Sequence, residues 1–111
     1  MSYYKKSDLN LFPEKVAEHR SDLTAKFMDY YDAALNGPGK LSKREKKLIA
    51  LAVAHIRQCP YCIDAHTQGL LQEGSDLEEM TEAIHVAASL DAGITLVHGI
   101  QMHEAAKSHK K

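Results

Sequence analysis

The sequence is short of several features that would assign a protein to a class at once. Its longest wholly apolar run, Leu48 to Ala54, falls far short of the roughly 20 residues that a helix needs to span a bilayer. The formal net charge is -1, so neither a basic field for nucleic acid nor a strong acidic field is expected. Met1 to Asn10 is polar, and no signal peptide is predicted. We therefore expect a cytoplasmic protein that binds neither nucleic acid nor a membrane.

Cysteine is also scarce. The chain has two cysteines, Cys59 and Cys62, and both belong to one C-x-x-C motif. Small secreted domains that depend on disulfides for their stability are usually rich in cysteine. A single C-x-x-C pair without a secretory signal instead indicates redox chemistry in a reducing compartment.

Runs with the alternation of a β-strand are absent, and so are internal repeats. What is present is a series of apolar faces at helical spacing, separated by capping and breaking signals. Helix starts are predicted at Pro13, Ser21, the Ser42–Glu45 capping box, Pro60 and the Ser75–Glu78 capping box. Breaks are predicted at Asn36–Gly39, at Gly74 and, as a bend or end, at Asp91–Gly93. The predicted fold class is all-α, a single domain over residues 1–111 with about six helices.

Two of the predicted helices are unusually apolar for a small monomer. Leu48 to Ala54 is apolar on every side, and Ala83 to Ile100 is nearly as rich in apolar residues. A helix that is hydrophobic all round has to be buried. Either the two helices form the centre of one compact core, or a partner subunit covers them. A chain of this length cannot easily enclose both, so the sequence favours a homo-oligomer.

The C-x-x-C motif lies at a predicted helix start. Pro60 has no amide hydrogen and disrupts a helix interior, but it fits the first helical position, which makes Cys59 the cap residue. Cys62 and His66 then follow on one face at the i, i+4 spacing. Unpaired amides in the first turn favour a thiolate, so both sulfurs are expected to be more acidic than a free cysteine.

Other residues near the motif allow two interpretations each. The cysteines are either a redox pair or buried structural thiols, and the proline and histidine spacing favours the redox pair. His66 is a candidate base for the Cys62 thiol or a histidine without a role. His55 extends a proton relay or neutralises a helix C-terminus. Glu45 is the N3 residue of a capping box and also a candidate relay member.

A zinc site is the main competing interpretation of this stretch. His55, Cys59, Cys62 and His66 are all good zinc ligands. On one continuous helix, however, the two histidines would lie roughly 16 Å apart along the axis, whereas zinc ligands converge within about 2.0 to 2.3 Å of the metal. We therefore expect no metal and no other cofactor.

The same residues carry a resemblance to a known family. Leu41-Ser-x-Arg-Glu45, the apolar Leu48–Ala54 helix, Cys59-x-x-Cys62-x-x-x-His66 and the Gly74 cap resemble the carboxymuconolactone decarboxylase and alkylhydroperoxidase D-like family over about residues 20 to 105. The stretch from Gln58 to Ala65, with Val97-His98-Gly99 downstream, is similar to its arsenosugar biosynthesis-associated peroxidase-like branch. The resemblance implies an all-helical domain assembled into trimers or hexamers. It also implies peroxide reduction by the cysteine pair, helped by a relay that includes a glutamate and the histidine matching His66.

Two positions depart from that family's pattern. The relay glutamate of the alkylhydroperoxidase-type enzymes falls at Lys47, and a histidine that they carry inside the C-x-x-C is replaced by Tyr61. The relay is therefore expected to be incomplete or rebuilt, with His55 and Glu45 as replacement members.

The function predicted from the sequence is that of a thiol-dependent peroxidase or disulfide oxidoreductase. His66 assists ionisation of Cys62, the thiolate attacks a peroxide oxygen or a disulfide sulfur, and Cys59 resolves the product. The helix cap favours Cys59 as the more acidic thiol, whereas His66 and the resemblance favour Cys62 as the attacking one. The expected partners are further copies of the chain and an unidentified thiol electron donor. The alternative is a non-catalytic oligomeric protein that binds a small ligand or a metalloid between its cysteines.

Overall fold

The computed structural model describes residues 5–110, and every regular element in that range is helical. The longer elements are α2 (Ser21–Asn36), α3 (Lys43–Ile56), α4 (Pro60–Gln72), α5 (Leu77–Val97) and α6 (Gly99–His109). They follow a 3-10 helix (Lys6–Leu11), the single turn α1 (Phe12–Lys15) and a second 3-10 helix (Ala17–Arg20). The all-α prediction is confirmed for the part of the chain that the structure describes.

The N-terminal helix is more broken than its sequence indicates. A helix from Pro13 to about His19 is predicted, but α1 ends at Lys15 because Val16 leaves the helical region, with φ -127° and ψ -54°. The chain resumes as a 3-10 helix before α2 begins at Ser21. Ser21 is itself the first helical residue and not the cap, which is Arg20.

Local capping signals locate the next helices well. The Ser42–Glu45 box is complete, because the Ser42 amide donates to Glu45 Oε1 at 2.8 Å and the Glu45 amide donates to Ser42 Oγ at 3.1 Å. Before α5 the cap lies one residue later than the predicted Ser75–Glu78 box. The cap is Asp76, whose Oδ1 accepts the Glu79 amide at 2.9 Å. The Ser75 hydroxyl instead donates to Glu79 Oε1 at 2.7 Å.

Gly74 ends α4 as predicted. Its φ of +86° is the left-handed conformation that glycine adopts without steric cost. The turn lets the Ser75 amide donate to the Leu70 carbonyl at 2.9 Å and the Gly74 amide donate to the Leu71 carbonyl at 3.1 Å, the bonding of a Schellman motif.

The predicted bend or break at Asp91–Gly93 is wrong. Helix α5 passes through these residues to Val97, and only His98 separates it from α6. A glycine inside a helix costs about 1 kcal/mol relative to alanine, too little to end a long helix. With α5 and α6 taken together and single-turn α1 left aside, residues 5–110 contain four long helices, against the six expected.

The core of the described chain is small. Leu51 of α3, Leu70 of α4 and Met80 of α5 are buried against one another, and Leu48 packs on them. Helix α3 is therefore the central element, with α4 and α5 packed on it. This arrangement fixes the start of α4, and with it the C-x-x-C motif, beside the end of α3.

Much apolar surface remains outside that core. The chain exposes 9028 Å², whereas a folded monomer of its mass exposes roughly 6,100 Å². The helical stretch Leu77–His109 spans 33 residues and contains a segment of mean hydropathy 1.4, none of it buried. By length and composition alone, this helical stretch is long and apolar enough to cross a membrane. The expectation from the sequence considered only the shorter Leu48–Ala54 run.

Candidate redox site

The connection between α3 and α4 determines where the cysteines lie. Gln58 has φ +55°, a left-handed conformation that is unusual for a residue other than glycine. It turns the chain so that the Cys59 amide donates back to the Ala54 carbonyl of α3 at 2.9 Å. Cys59 itself is extended, with φ -105° and ψ 100°, and Pro60 begins α4. The predicted cap and first-turn positions are both confirmed.

The two sulfurs lie very close together. Cys59 Sγ is 2.7 Å from Cys62 Sγ, and both cysteines are free thiols in the structure. The Cys62 amide donates to Cys59 Sγ at 3.3 Å, so the first cysteine caps the helix with its sulfur. Conversion of this pair to a disulfide needs a two-electron oxidation with loss of both thiol protons, and only a small movement of the sulfurs.

The electrostatics of Cys62 contradict the expectation that its thiol is acidified. Burial, together with the hydrogen bond and the charge of Cys59, raises the pKa of the Cys62 thiol from its ordinary 9.0 to about 11. Two sulfurs this close share a proton more readily than they both ionise. At neutral pH the Cys62 thiol is therefore protonated, and it needs a base to become a nucleophile.

His66 is the residue that the sequence predicts as that base. It lies one turn after Cys62 on the same face of α4 and is half-buried. Burial, followed by the positive charge of Lys47, lowers the pKa of the His66 imidazole below its usual range. A neutral imidazole is the form that can accept a thiol proton.

The other two predicted relay members have well-defined partners of their own. His55 Nδ1 lies 2.9 Å from the Leu51 carbonyl one turn earlier, which leaves Nε2 for other contacts. Together with Pro60 and Ile63, His55 lines a shallow, mainly apolar depression of about 570 Å³. Glu45 lies at the opposite end of α3, where its capping bonds to Ser42 hold the pKa of its carboxyl below the usual range. Relay roles for both residues stay predictions.

Two further side chains near the cysteines come from distant parts of the sequence. The Tyr61 hydroxyl donates to Asp8 Oδ2 at 2.7 Å, which attaches the first 3-10 helix to the start of α4. Tyr31 of α2, paired with Phe27 at a ring distance of 5.5 Å, has its phenol pKa raised by burial and then by the charges of Cys62 and Cys59. No local sequence signal connects Tyr31 with the C-x-x-C motif.

A metal site of three or more His, Cys, Asp or Glu side chains does not form among residues 5–110. The distance argument against zinc assumed that His55 and His66 lie on one continuous helix. In the structure they lie on two separate helices, α3 and α4, so the assumed geometry is not the observed one.

The fold and the site together define a class of protein: a small helical domain that presents a reduced C-x-x-C pair at a helix start, with a histidine one turn later. Residues 21–105 match the carboxymuconolactone decarboxylase family, and the chain belongs to that family. Its fold is also that of a crystallised carboxymuconolactone decarboxylase family protein from Legionella pneumophila. The two chains are 30% identical with a TM-score of 0.68, and the similarity covers 96% of this chain and 94% of the other.

Curated relatives match over shorter stretches. An uncharacterised protein of the cox locus of Paracoccus denitrificans is 52% identical over 60 residues, which are 54% of each chain. The alkyl hydroperoxide reductase AhpD of Streptomyces griseus is 40% identical over 63 residues, 56% of this chain and 35% of the relative. That of Rhodococcus erythropolis is 42% identical over 60 residues, 54% of this chain and 32% of the relative. The matched part thus spans about half or less of these relatives.

Proposed function

We propose that this protein is a thiol-dependent peroxidase or disulfide oxidoreductase that works through the Cys59–Cys62 pair. The observation that carries the proposal is the 2.7 Å separation of two free sulfurs at the first turn of α4. Similarity to proteins named alkyl hydroperoxide reductase supports the same class of reaction. The comparisons give the family, and the site supplies the chemistry.

The proposed cycle assigns a role to each group. His66 takes the proton of Cys62, and the thiolate attacks a peroxide oxygen, which breaks the O–O bond. Cys62 becomes a sulfenic acid, and the alkoxide leaves with the proton from His66 as an alcohol. The Cys59 thiol then attacks the sulfenic sulfur, forms the disulfide and releases water. With a disulfide substrate, Cys62 attacks sulfur and a thiolate leaves. A dithiol donor restores the pair in either case.

The assignment of Cys62 as the attacking thiol rests on its partnership with a base. A thiol with a pKa of about 11 is almost fully protonated at neutral pH and gains strongly from a general base. The neutral His66 supplies one, and the Cys59 sulfur, which already accepts the Cys62 amide, lies in position to attack the sulfenic acid. His55 is proposed as a secondary member of the proton relay, whereas Glu45 is held by Ser42 at the opposite end of α3 and is not assigned a part in it.

The experiment that tests this function is turnover of an organic hydroperoxide with a dithiol reductant. We expect His66→Ala to lower turnover by about 100-fold. Cys62→Ser should abolish sulfenic acid formation, whereas Cys59→Ser should let the sulfenic acid accumulate. The opposite pattern for the two cysteine variants would exchange their roles. Tight binding of a trivalent metalloid without any turnover would favour the alternative, a non-catalytic binding protein.

We also propose that the chain works as a homo-oligomer. Helices α3 and α5 form an apolar groove of about 330 Å³, lined mainly by Val53, Ile56, Val86, Leu90 and Ile94. Arg57 and Asp91 also line this groove. In a dimer with a two-fold axis, Arg57 of one copy can pair with Asp91 of the other copy. Asp91 is an acidic residue inside an apolar helical stretch. A charged side chain at such a place is costly in a bilayer, which favours a protein partner over lipid.

The family resemblance adds the form of that assembly. Single-domain members of the resembled family assemble as hexamers built from three dimers, and we propose the same for this chain. The excess exposed area, roughly 2,900 Å² per chain, is above the roughly 1,000 to 2,500 Å² that each partner buries in a typical obligate interface, as expected for a chain with more than one neighbour. A reducing cytoplasm and an unidentified thiol donor complete the proposed setting.

A further inference from the structure

Lys47 of α3 is more enclosed than a lysine usually is. Its side chain is 18% exposed, and its ammonium nitrogen lies 3.6 Å from Glu73 Oε2. Lysine is among the residues least often buried, and a buried one requires compensation. Glu73 lies at the end of α4 and provides only one loose partner. The ammonium group is thus held against the end of α4 by a partly enclosed ion pair.

The Lys47 side chain passes over helix α4 at Gly69. A side-chain carbon added to Gly69 would lie 3.5 Å from Lys47 Cδ and Cε and 3.6 Å from Nζ. The lysine stem thus lies directly along the glycine. Cys62, His66, Gly69 and Glu73 follow one another at spacings of four, three and four residues, which places them on one face of α4. Lys47 therefore crosses the face that carries the candidate nucleophile and its base.

We propose that Lys47 is a positioning residue of the redox site, whose ammonium group, paired with Glu73 and lying along Gly69, places a positive charge on the face of α4 that carries His66 and so favours the neutral imidazole. A nearby cation disfavours protonation of histidine. The Lys47 charge and burial both lower the pKa of His66, with burial the larger cause. A carboxylate in the same place would have the opposite effect, because it would stabilise the imidazolium.

Helix α4 and the elements packed on or near it carry other ionisable groups. From α4 itself there are Cys62 and Glu73, and from α3 there is His55 besides Lys47. The N-terminal 3-10 helix contributes Asp8, which accepts the Tyr61 hydroxyl, and α2 contributes the phenol of Tyr31. Lys47 is the cation whose charge acts on His66.

The consequence for catalysis rests on the function proposed above. A base that stays neutral to lower pH can take the Cys62 proton over a wider pH range. Removal of the Lys47 charge should therefore raise the pH at which His66 loses its proton, and the pH range in which it can act as a base becomes narrower at its acidic end. The electrostatic effect on His66 exists whether or not the protein reduces peroxides, so the two proposals can fail separately.

The test is an NMR pH titration of the His66 ring in the reduced, full-length protein. We expect Lys47→Met to move the His66 midpoint to higher pH and Lys47→Arg to keep it near the wild-type value. Lys46→Met is the matched control. That lysine is also half-buried, but its ammonium group donates to the Gly37 carbonyl at 2.8 Å, away from α4. It should leave the His66 midpoint unchanged.

A second variant gives a shift of opposite sign and does not require loss of the lysine. Glu73→Gln removes the partner that partly neutralises Lys47, so the full cation acts on His66 and its midpoint should fall. An unchanged midpoint in Lys47→Met would overturn the proposal. Equal upward shifts in Lys47→Met and Lys47→Arg would assign the effect to packing instead of charge and would overturn it too. If the protein does not fold with methionine or arginine at position 47, the Glu73→Gln variant decides alone. A rise or no change in its His66 midpoint would likewise overturn the proposal.

Discussion

At the scale of single residues, the pair of sulfurs is asymmetric. The Cys59 sulfur accepts an amide at the helix cap, whereas burial and Cys59 itself raise the pKa of Cys62 to about 11. The sequence indicates the cap and the i, i+4 histidine, because both are local patterns. It could not indicate the raised pKa, which depends on how close the sulfurs come after folding. The enclosure of Lys47 and the position of Tyr31 near the cysteines likewise depend on tertiary packing.

The raised pKa of Cys62 predicts a pH dependence of stability. Between its ordinary pKa of 9.0 and about 11, the folded thiol keeps a proton that the unfolded thiol loses. The unfolded state then binds fewer protons, so the free energy of unfolding falls as pH rises through this window. Below pH 9 the contribution is fully present.

Urea unfolding of the reduced protein at several pH values from 8 to about 10.5 measures that fall. We expect Cys62→Ser, which removes the Cys62 thiol, to show a shallower decline than the parent protein when both carry Tyr31→Phe. That background removes a phenol whose pKa is raised by burial and by the charges of Cys62 and Cys59, and which would otherwise respond to the Cys62 substitution. Identical slopes in the two proteins would show that Cys62 titrates in the same way folded and unfolded.

At the scale of helices and turns, the sequence was informative where a signal is local. Ser42 and Glu45, Pro60 and Gly74 fix helix ends through bonds to neighbouring backbone groups, and those ends are where the patterns put them. The break at Asp91–Gly93 was wrong because one glycine is a weak signal inside a long apolar helix. The contact of the N-terminal 3-10 helix with α4 joins residues 53 positions apart and has no sequence signature.

That contact can be tested as an element-scale prediction. The Tyr61 hydroxyl bonds to Asp8 at 2.7 Å and attaches the segment before α2 to the redox helix. A partly buried hydrogen bond to a carboxylate contributes about 1.5 kcal/mol. Asp8→Ala should therefore make residues 5–20 exchange amide hydrogens and undergo proteolysis about tenfold faster, with little change in the core.

Asp22→Ala is the matched control for this effect. Asp22 also pairs with one side chain, Arg20, but both members of that ion pair are more than 60% exposed, at 63% and 65%. Exposed pairs of this kind contribute little. If residues 5–20 of the Asp8→Ala variant resist hydrogen exchange and proteolysis as well as those of the wild-type protein, the hydrogen bond does not hold the segment in place.

At the scale of the whole molecule, the chain is extended for its length. Its radius of gyration is 18.8 Å, against about 13 Å for a compact domain of this size. The sequence indicated the difficulty, because Leu48 to Ala54 and Ala83 to Ile100 are too apolar for one short chain. It could not identify which faces stay uncovered. In the structure the exposed apolar face lies along α5, at Val86, Leu90, Ile94 and Val97.

This face leads to a prediction about assembly. Sedimentation velocity at micromolar concentration should find the wild-type protein as a homo-oligomer, with the hexamer as the expected species. Ile94→Glu places a charge in the groove between α3 and α5 and should shift the protein to smaller species. Leu77→Glu is the control, since Leu77 is 75% exposed at the start of α5 and does not line the groove. A wild-type monomer with intact helical circular dichroism would refute the assembly.

The central claim is that Cys59 and Cys62 form a reversible redox pair, and a thiol count tests it most directly. The reduced protein should titrate two thiols per chain under denaturing conditions, the number that the sequence contains. After one equivalent of hydroperoxide the count should fall to none, with a mass loss of two hydrogens and no covalent dimer on a non-reducing gel. A dithiol should restore both thiols. Two thiols that persist in the presence of excess hydroperoxide would contradict the account.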